Sequence, residues 1–161
     1  MVEAQLAFSI RRAEKSDGPF ILDCLMTAFE PYRDQYTPEA FADTVMAPET
    51  LEHRFATMII LVAEGPSREI VGTVAGRVVN KEEGHVRGMA VRPEWQGRGV
   101  AAALLGAIEA EFRAQQCSRI TLDTTEPLQR AVRFYERNGY RRSGRIADFF
   151  RMLLFEYVKE F

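Results

Sequence analysis

The spacing of apolar positions changes along the chain, and each change of period marks an element. Phe8-Ser9-Ile10-Arg11 alternates as a short strand does. From Phe20 the period lengthens. Phe20, Ile21, Cys24, Leu25, Ala28 and Phe29 recur at the i, i+3, i+4 spacing of one buried helix face, with Ser16 as the cap, Pro19 in the first turn and Pro31 as the stop. Glu30 to Phe55 keeps no clear period, is interrupted by Pro38 and Pro48, and is expected to be a loop with one or two short helices. Met58 to Ala63 is a β-branched apolar run closed by Gly65-Pro66-Ser67; Ile70 to Val79 and His85 to Val91 follow, with a turn over Asn80 to Gly84 between them. A three-stranded antiparallel meander is predicted.

Beyond Pro93 the pattern turns helical at Ala101, Leu104, Leu105, Ile108 and Phe112, extended at Ile120 to Asp123, and helical again at Leu128, Ala131, Val132 and Tyr135. Gly139 is placed to end that last helix in a left-handed conformation. Tyr140 to Arg145 and Phe149 to Val158 read as two final strands, the second apolar enough to be internal. No repeat, linker or low-complexity segment divides the chain. Residues 1–161 therefore read as a single domain on one mixed α/β sheet.

Composition narrows the functional classes. With 47% apolar and 27% charged residues the chain has the makings of a packed core, not of a disordered or heptad-dominated protein. Its 21 Lys and Arg against 23 Asp and Glu leave a net charge of -2, so no basic field exists to hold nucleic acid. Cys24 and Cys117 are far apart and form no CxxC pair, which points away from a disulfide scaffold or a metal site and towards a reducing cytoplasm. The opening MVEAQLAF lacks the features of a signal peptide, and no apolar run approaches the ~20 residues of a membrane span, so a soluble, unprocessed protein with no membrane partner is expected.

The chemistry is concentrated in Met89-Ala90-Val91-Arg92-Pro93-Glu94-Trp95-Gln96-Gly97-Arg98-Gly99-Val100-Ala101-Ala102, a strand, a short loop and a small-residue helix start. A helix's first turn offers unpaired N–H groups and the positive end of its dipole, and Gly97 and Gly99 let an anion approach without a Cβ in the way. One use of such a loop is dinucleotide binding, since Gly97 to Ala102 formally satisfies GxGxxA and Asp123 could hold a ribose hydroxyl. Against it, Arg92 to Gln96 intervene between strand and loop, and the residues after Asp123 are too few for the further parallel strands of a Rossmann sheet.

The same residues resemble the GNAT superfamily of acyl-CoA-dependent N-acyltransferases. Gln96-Gly97-Arg98-Gly99-Val100-Ala101 is similar to its Q/R-x-x-G-x-G/A signature, behind a hydrophobic strand ending Met89-Ala90-Val91-x-Pro93. Ala131-Val132-Arg133-Phe134-Tyr135-Glu136-Arg137-Asn138-Gly139-Tyr140 resembles the family's A-x-x-F-Y-x-x-x-G-F/Y block at the proper distance. The resemblance spans nearly the whole chain. It implies an α/β (α+β) fold with a mixed, mostly antiparallel central sheet of about six to seven strands, about four helices, and a central parallel strand pair that splays apart. It also implies acetyl-CoA as cosubstrate, without a metal, and direct transfer of the acetyl group to a primary amine of a small molecule or protein.

Residue by residue, the resemblance lays the pantetheine arm against Met89, Ala90 and Val91. The diphosphate falls on Gln96, Gly97, Arg98, Gly99, Val100, Ala101 and Ala102, with Arg98 either adding charge or simply solvated. Tyr135 corresponds to a general acid for the departing thiolate; otherwise it is a core aromatic on the stripe of Leu128, Ala131 and Val132. His85 stands where several members carry a glutamate base, and an imidazole titrates near neutrality; otherwise it caps a turn. Glu83 is a nearby substitute in a solvated turn. Leu128 replaces an asparagine that often helps hold the coenzyme. The acceptor should meet Glu30 to Phe55, where Glu30, Tyr32, Asp34, Tyr36 and Glu39 offer carboxylates and aromatic faces to an amine, or form an ordinary polar surface. Two other readings stay open: a dinucleotide-binding domain, and a non-catalytic acyl-CoA sensor. Exposed strand edges and the apolar last strand are also compatible with a homodimer.

Overall fold

The computed structural model describes residues 8–161, and the leader reading of the opening residues lies largely outside that range. Seven strands form one sheet in the order β1-β2-β3-β4-β5-β7-β6, with β1 Ser9–Arg12, β2 Ile59–Glu64, β3 Ile70–Asn80, β4 Glu83–Val91, β5 Arg119–Thr125, β6 Arg141–Phe149 and β7 Met152–Glu160. The helices are α1 Gly18–Phe29, α2 Pro38–Val45, α3 Pro48–Thr57, α4 Val100–Ala114 and α5 Gln129–Arg137. The predicted meander is β2-β3-β4, and the last strand is internal, between β5 and β6.

Strand β2 reads as an unbroken apolar run because both of its faces are covered. Leu61 and Ala63 face the α4 side with Leu104, Leu105, Ile108 and Phe112; Ile60 and Val62 face Ile21, Cys24 and Leu25 of α1. Each large side chain so buried contributes about 1.5–3 kcal/mol. Phe112 lies so close to the sheet that a Cβ on Gly84 or Gly76 would overlap its ring. A third cluster, Tyr36, Ala40, Phe41 and Val45, packs against Phe149 and Met152 of the final hairpin.

Three local expectations are corrected. Ser16 does not cap α1. A 3-10 turn over Lys15–Asp17 precedes that helix, and Asp17 accepts the Glu14 amide at 2.7 Å and the Arg11 guanidinium at 2.8 and 2.9 Å. The Glu30 to Phe55 segment is mostly helical, because Pro38 and Pro48 open helices instead of breaking them, Thr37 accepting the Ala40 amide at 3.2 Å ahead of the first. The two final strands divide later than expected: β6 runs past Arg145 to include Phe149, and the turn before β7 is two residues, Phe150 and Arg151, at φ of 50° and 71°. Positive φ at both central positions gives the twist a tight hairpin needs, without the usual Asn-Gly.

One feature of the sheet positions everything that follows. β4 and β5, its one parallel pair among the described residues, pair only from Glu83 to Val86 against Arg119 to Leu122. Beyond that point β4 follows β3, with Gly88 and Met89 bulged opposite Val74, and β5 follows β7. The two strands part, and a cleft opens between them.

Candidate active site

The cleft is a cavity of about 420 Å³ that runs from the start of α4 to the inner faces of α1, α2 and α3. At one end lies the glycine loop. Gly97 and Gly99 have φ of 79° and 86°, and a Cβ built on either would meet nothing within 4 Å, so glycine is required there by backbone conformation and leaves open space in front of it. The amides of residues 97 through 102 donate to no acceptor among the described residues; the first amide that does is that of Ala103, to the Gly99 carbonyl at 3.0 Å. That is a cluster of free N–H groups at a helix N-terminus, facing a cavity.

Gln96 braces this loop. Its Nε2 donates to the Val91 carbonyl at 3.0 Å, and its Oε1 accepts from Arg130 at 3.0 Å, tying the end of β4 to the loop and to α5. Arg98 alone among the anticipated binding residues does not line the cavity; its guanidinium stacks over the Trp95 ring at 4.7 Å. Trp95, just ahead of the loop, is part of the wall.

Midway along the cleft, Tyr135 projects from α5 towards Met89 on the bulge, its hydroxyl 3.7 Å from the thioether sulfur. Burial pushes the phenol up to about 12, so it keeps its proton at neutral pH. Thr124, at the splayed end of β5, is buried with no hydrogen-bond partner for its hydroxyl among the described residues. His85 occupies the facing wall. Its Nδ1 lies 2.8 Å from the Thr121 hydroxyl, which donates its only proton to Glu83 at 2.8 Å, so the hydroxyl accepts Nδ1–H. Nε2 is thereby turned to Asp123, 3.3 Å away, and both residues line the cavity. Glu83 is no solvated turn residue: it begins β4, and although burial pushes its carboxyl up, Thr121 and Arg119 bring it below the ordinary range.

The chain belongs to the Acetyltransferase (GNAT) family. The family's model matches residues 19–140, which include the glycine loop and Tyr135. Among solved structures it is similar to the PaiA N-acetyltransferase of Thermoplasma acidophilum in complex with coenzyme A, at 14% identity and a TM-score of 0.84 over 96% of this chain and 99% of that one. A GNAT-family acetyltransferase of Staphylococcus aureus matches at 19% identity and 0.79, over 96% and 99%. One from Elizabethkingia anophelis with acetyl-CoA bound matches at 14% and 0.69, over 96% and 98%.

With GNAT membership comes the family's chemistry, acyl-CoA-dependent N-acetyl transfer, and the dinucleotide reading falls. A Rossmann sheet is built from successive parallel strands, whereas this GNAT sheet holds a single parallel pair among the described residues. The acceptor end departs from the sequence reading. Glu30 and Glu39 are occupied in exposed ion pairs with Arg33 and Arg151, and Asp34 is also on the surface. Tyr32 and Tyr36 do line the cavity, Tyr36 anchored to the Thr125 hydroxyl at 2.6 Å. The charged groups lining this end are instead Asp43, Arg54 and Arg87.

Proposed function

We propose that residues 1–161 form a single N-acetyltransferase domain that moves the acetyl group of acetyl-CoA directly to a primary amine within a ternary complex. The observation that carries this reading is one continuous cleft lined by the free amides at the start of α4, by the Tyr135 hydroxyl and by the His85–Asp123 pair. The amides of Gly97, Arg98, Gly99, Val100, Ala101 and Ala102 take the diphosphate, and Met89, Ala90 and Val91 run beside the pantetheine arm. His85, through Nε2, takes a proton from the acceptor's ammonium, and Asp123 stabilises the resulting imidazolium. The freed amine attacks the thioester carbon, the C–S bond breaks as Tyr135 gives its proton to the departing sulfur, and the second proton lost by the nitrogen as it becomes an amide restores the phenol.

Direct transfer is supported by the cysteines. Cys24 and Cys117 are both buried, neither lines the cleft, and burial holds both thiols above their ordinary range, Cys24 at about 11. Neither is placed to accept the acetyl group. The test is to mix protein with acetyl-CoA alone and with amine, and follow intact mass and initial rates: intersecting double-reciprocal lines without an acetylated protein species support the reading, whereas an acyl-enzyme or parallel lines overturn it.

The reading places the enzyme in the cytoplasm, in keeping with its free thiols. The reading takes an amine as acceptor and calls on neither nucleic acid nor a membrane. The net charge is -2, and among the described residues no helix is long and apolar enough to cross a membrane. A homodimer through the β6 edge completes the proposal, since Ile146 on that strand and Leu153 on the adjoining β7 are exposed; sedimentation as a monomer at micromolar concentration would remove it.

A further inference from the structure

Among the described residues, three charged side chains are buried: Asp17, Glu109 and Arg54. The first two are satisfied. Asp17 is held by Arg11, and Glu109 receives the Tyr140 hydroxyl at 2.8 Å and the Lys159 ammonium at 3.1 Å. The side chain of Arg54, a residue only 8% exposed, makes no hydrogen bond and no ion pair with any described residue, and its nitrogens keep a little solvent contact. A guanidinium does not shed its charge in a protein, and burying one unpaired is costly.

Its surroundings leave one direction for a partner. Beneath it lies a void of about 10 Å³ walled by Ile21, Leu25, Met46 and Leu51, and the hydroxyl there, on Thr73, is already given to the Leu61 carbonyl at 3.0 Å. On the strand side, Nη1 sits where a Cβ on Gly88 would stand 2.8 Å away, so the glycine of the β4 bulge is what lets the arginine reach this point. The remaining direction is the cleft, which Arg54, Gly88 and Arg87 all line. Arg87 also has no partner among the described residues, although it is exposed. Burial, then the charge of Arg87, push the Arg54 guanidinium down, and Asp43 offsets this only in part without forming an ion pair. Two cations without an ion-pair partner, only partly offset by Asp43, therefore border one cavity. They stand at the Gly88 bulge, near the acceptor wall, while the free amides of the diphosphate cradle belong to the start of α4.

We infer that Arg54, with Arg87 beside it, anchors an anionic group on the acceptor itself, so that the substrate is an amine bearing a carboxylate or a phosphoryl group. This rests on the acetyl-transfer reading. A guanidinium's fork fits both anions, and a polyamine or a neutral amine would leave the charge uncompensated.

Paired acceptors test it: β-alanine against β-alaninamide, 2-aminoethyl phosphate against ethanolamine, and spermidine as the polycation. The wild type should favour one of the anionic members at least 10-fold in kcat/KM, mainly through KM, and which pair shows the effect identifies carboxylate or phosphoryl. Arg54→Gln should erase that preference and Arg54→Lys should keep part of it. Equal use of the paired acceptors, a preference for spermidine, or an equal loss for every acceptor in Arg54→Gln would overturn the inference. Because Arg54→Gln could fail to fold, the wild-type comparisons of both anionic acceptors with their neutral counterparts are decisive without it. A second measurement separates this idea from the parent reading. Propionate and inorganic phosphate are titrated into the CoA-saturated wild-type and Arg54→Lys proteins by calorimetry. Binding of either that weakens several-fold in the variant, with no amine acetylated, would overturn acetyl transfer and uphold the anion site; the absence of binding, or binding unchanged in the variant, overturns the site.

Discussion

The Tyr135 hydroxyl meets Met89 across the cleft at 3.7 Å, so the end of α5 and the bulge of β4 converge on one point although 46 residues separate them. A thioether is a weak acceptor, which leaves the phenolic proton available to a better one. Tyr135→Phe should lower kcat by roughly 10- to 1,000-fold while leaving the Kd for acetyl-CoA within a factor of about two. Since burial holds this phenol at about 12, the ratio of wild-type to variant rate should stay constant from pH 7 to 10. A ratio that shrinks with rising pH in that range would mean the acid is another group.

His85 is assigned its proton by its neighbours: Thr121 engages Nδ1–H and leaves Nε2 at the cavity beside Asp123. His85→Gln keeps a polar side chain of similar reach but cannot take the proton. A base acts only while unprotonated, so the loss in kcat/KM should be largest at and above neutral pH and should narrow towards pH 5.5, and Asp123→Asn should reproduce a milder form of it. Rate profiles from pH 5.5 to 9 check this, and an unshifted acid limb would remove His85 from the mechanism.

Glycines at two places in this chain should fail in two different ways. A Cβ on Gly97 meets open space, so Gly97→Ala should cost about 1–3 kcal/mol of backbone strain and at least 10-fold in acetyl-CoA affinity, through crowding of the diphosphate. A Cβ on Gly84 collides with the Phe112 ring, so Gly84→Ala should lower Tm more and affect affinity less. Thermal unfolding and acetyl-CoA titration of both variants give the comparison.

Asp17 ties β1 to the start of α1. Arg11 donates to both its oxygens, which outweighs the opposing effect of burial and, with the Glu14 amide, holds the carboxyl below its ordinary 3.8. A depressed carboxyl stabilises the fold in full above about pH 5, and the contribution drains away as pH falls through the folded value. Asp17→Asn should therefore lose about 1–3 kcal/mol at pH 7, and its deficit against the wild type should narrow below pH 4. Urea midpoints from pH 3 to 7 measure the gap; a gap of constant width would rule out the Arg11 pairing as its source.

How far the sequence could be read followed from how local each signal was. The meander, α4 and the glycine loop depend on neighbours within a few residues, and the apolar periods and the Gly97-Arg98-Gly99 spacing reported them. β7 was legible as internal because Leu153, Leu154, Phe155, Tyr157 and Val158 are too apolar for an edge. The acceptor wall was not legible. Glu39 looked available until its distant partner Arg151 was brought to it at 2.9 Å, and Arg54 reads on a helix like any solvated charge. Only the fold places Gly88 against its guanidinium. Arg130 likewise gives no sign in the sequence that it braces Gln96, 34 residues away.

The parting of β4 from β5 has a mechanical side. Among the described residues the strand ladder joins one group of four strands to the other group of three through only four residue pairs, so the sheet has a seam that is closed for only part of its length. A molecule wedged into the open part would stitch the two groups together. Carrier binding should accordingly slow amide exchange in Met89 to Val91 and in Thr124 and Thr125 more than in the well-covered strand β2, making the protein stiffer across the seam when loaded than when empty.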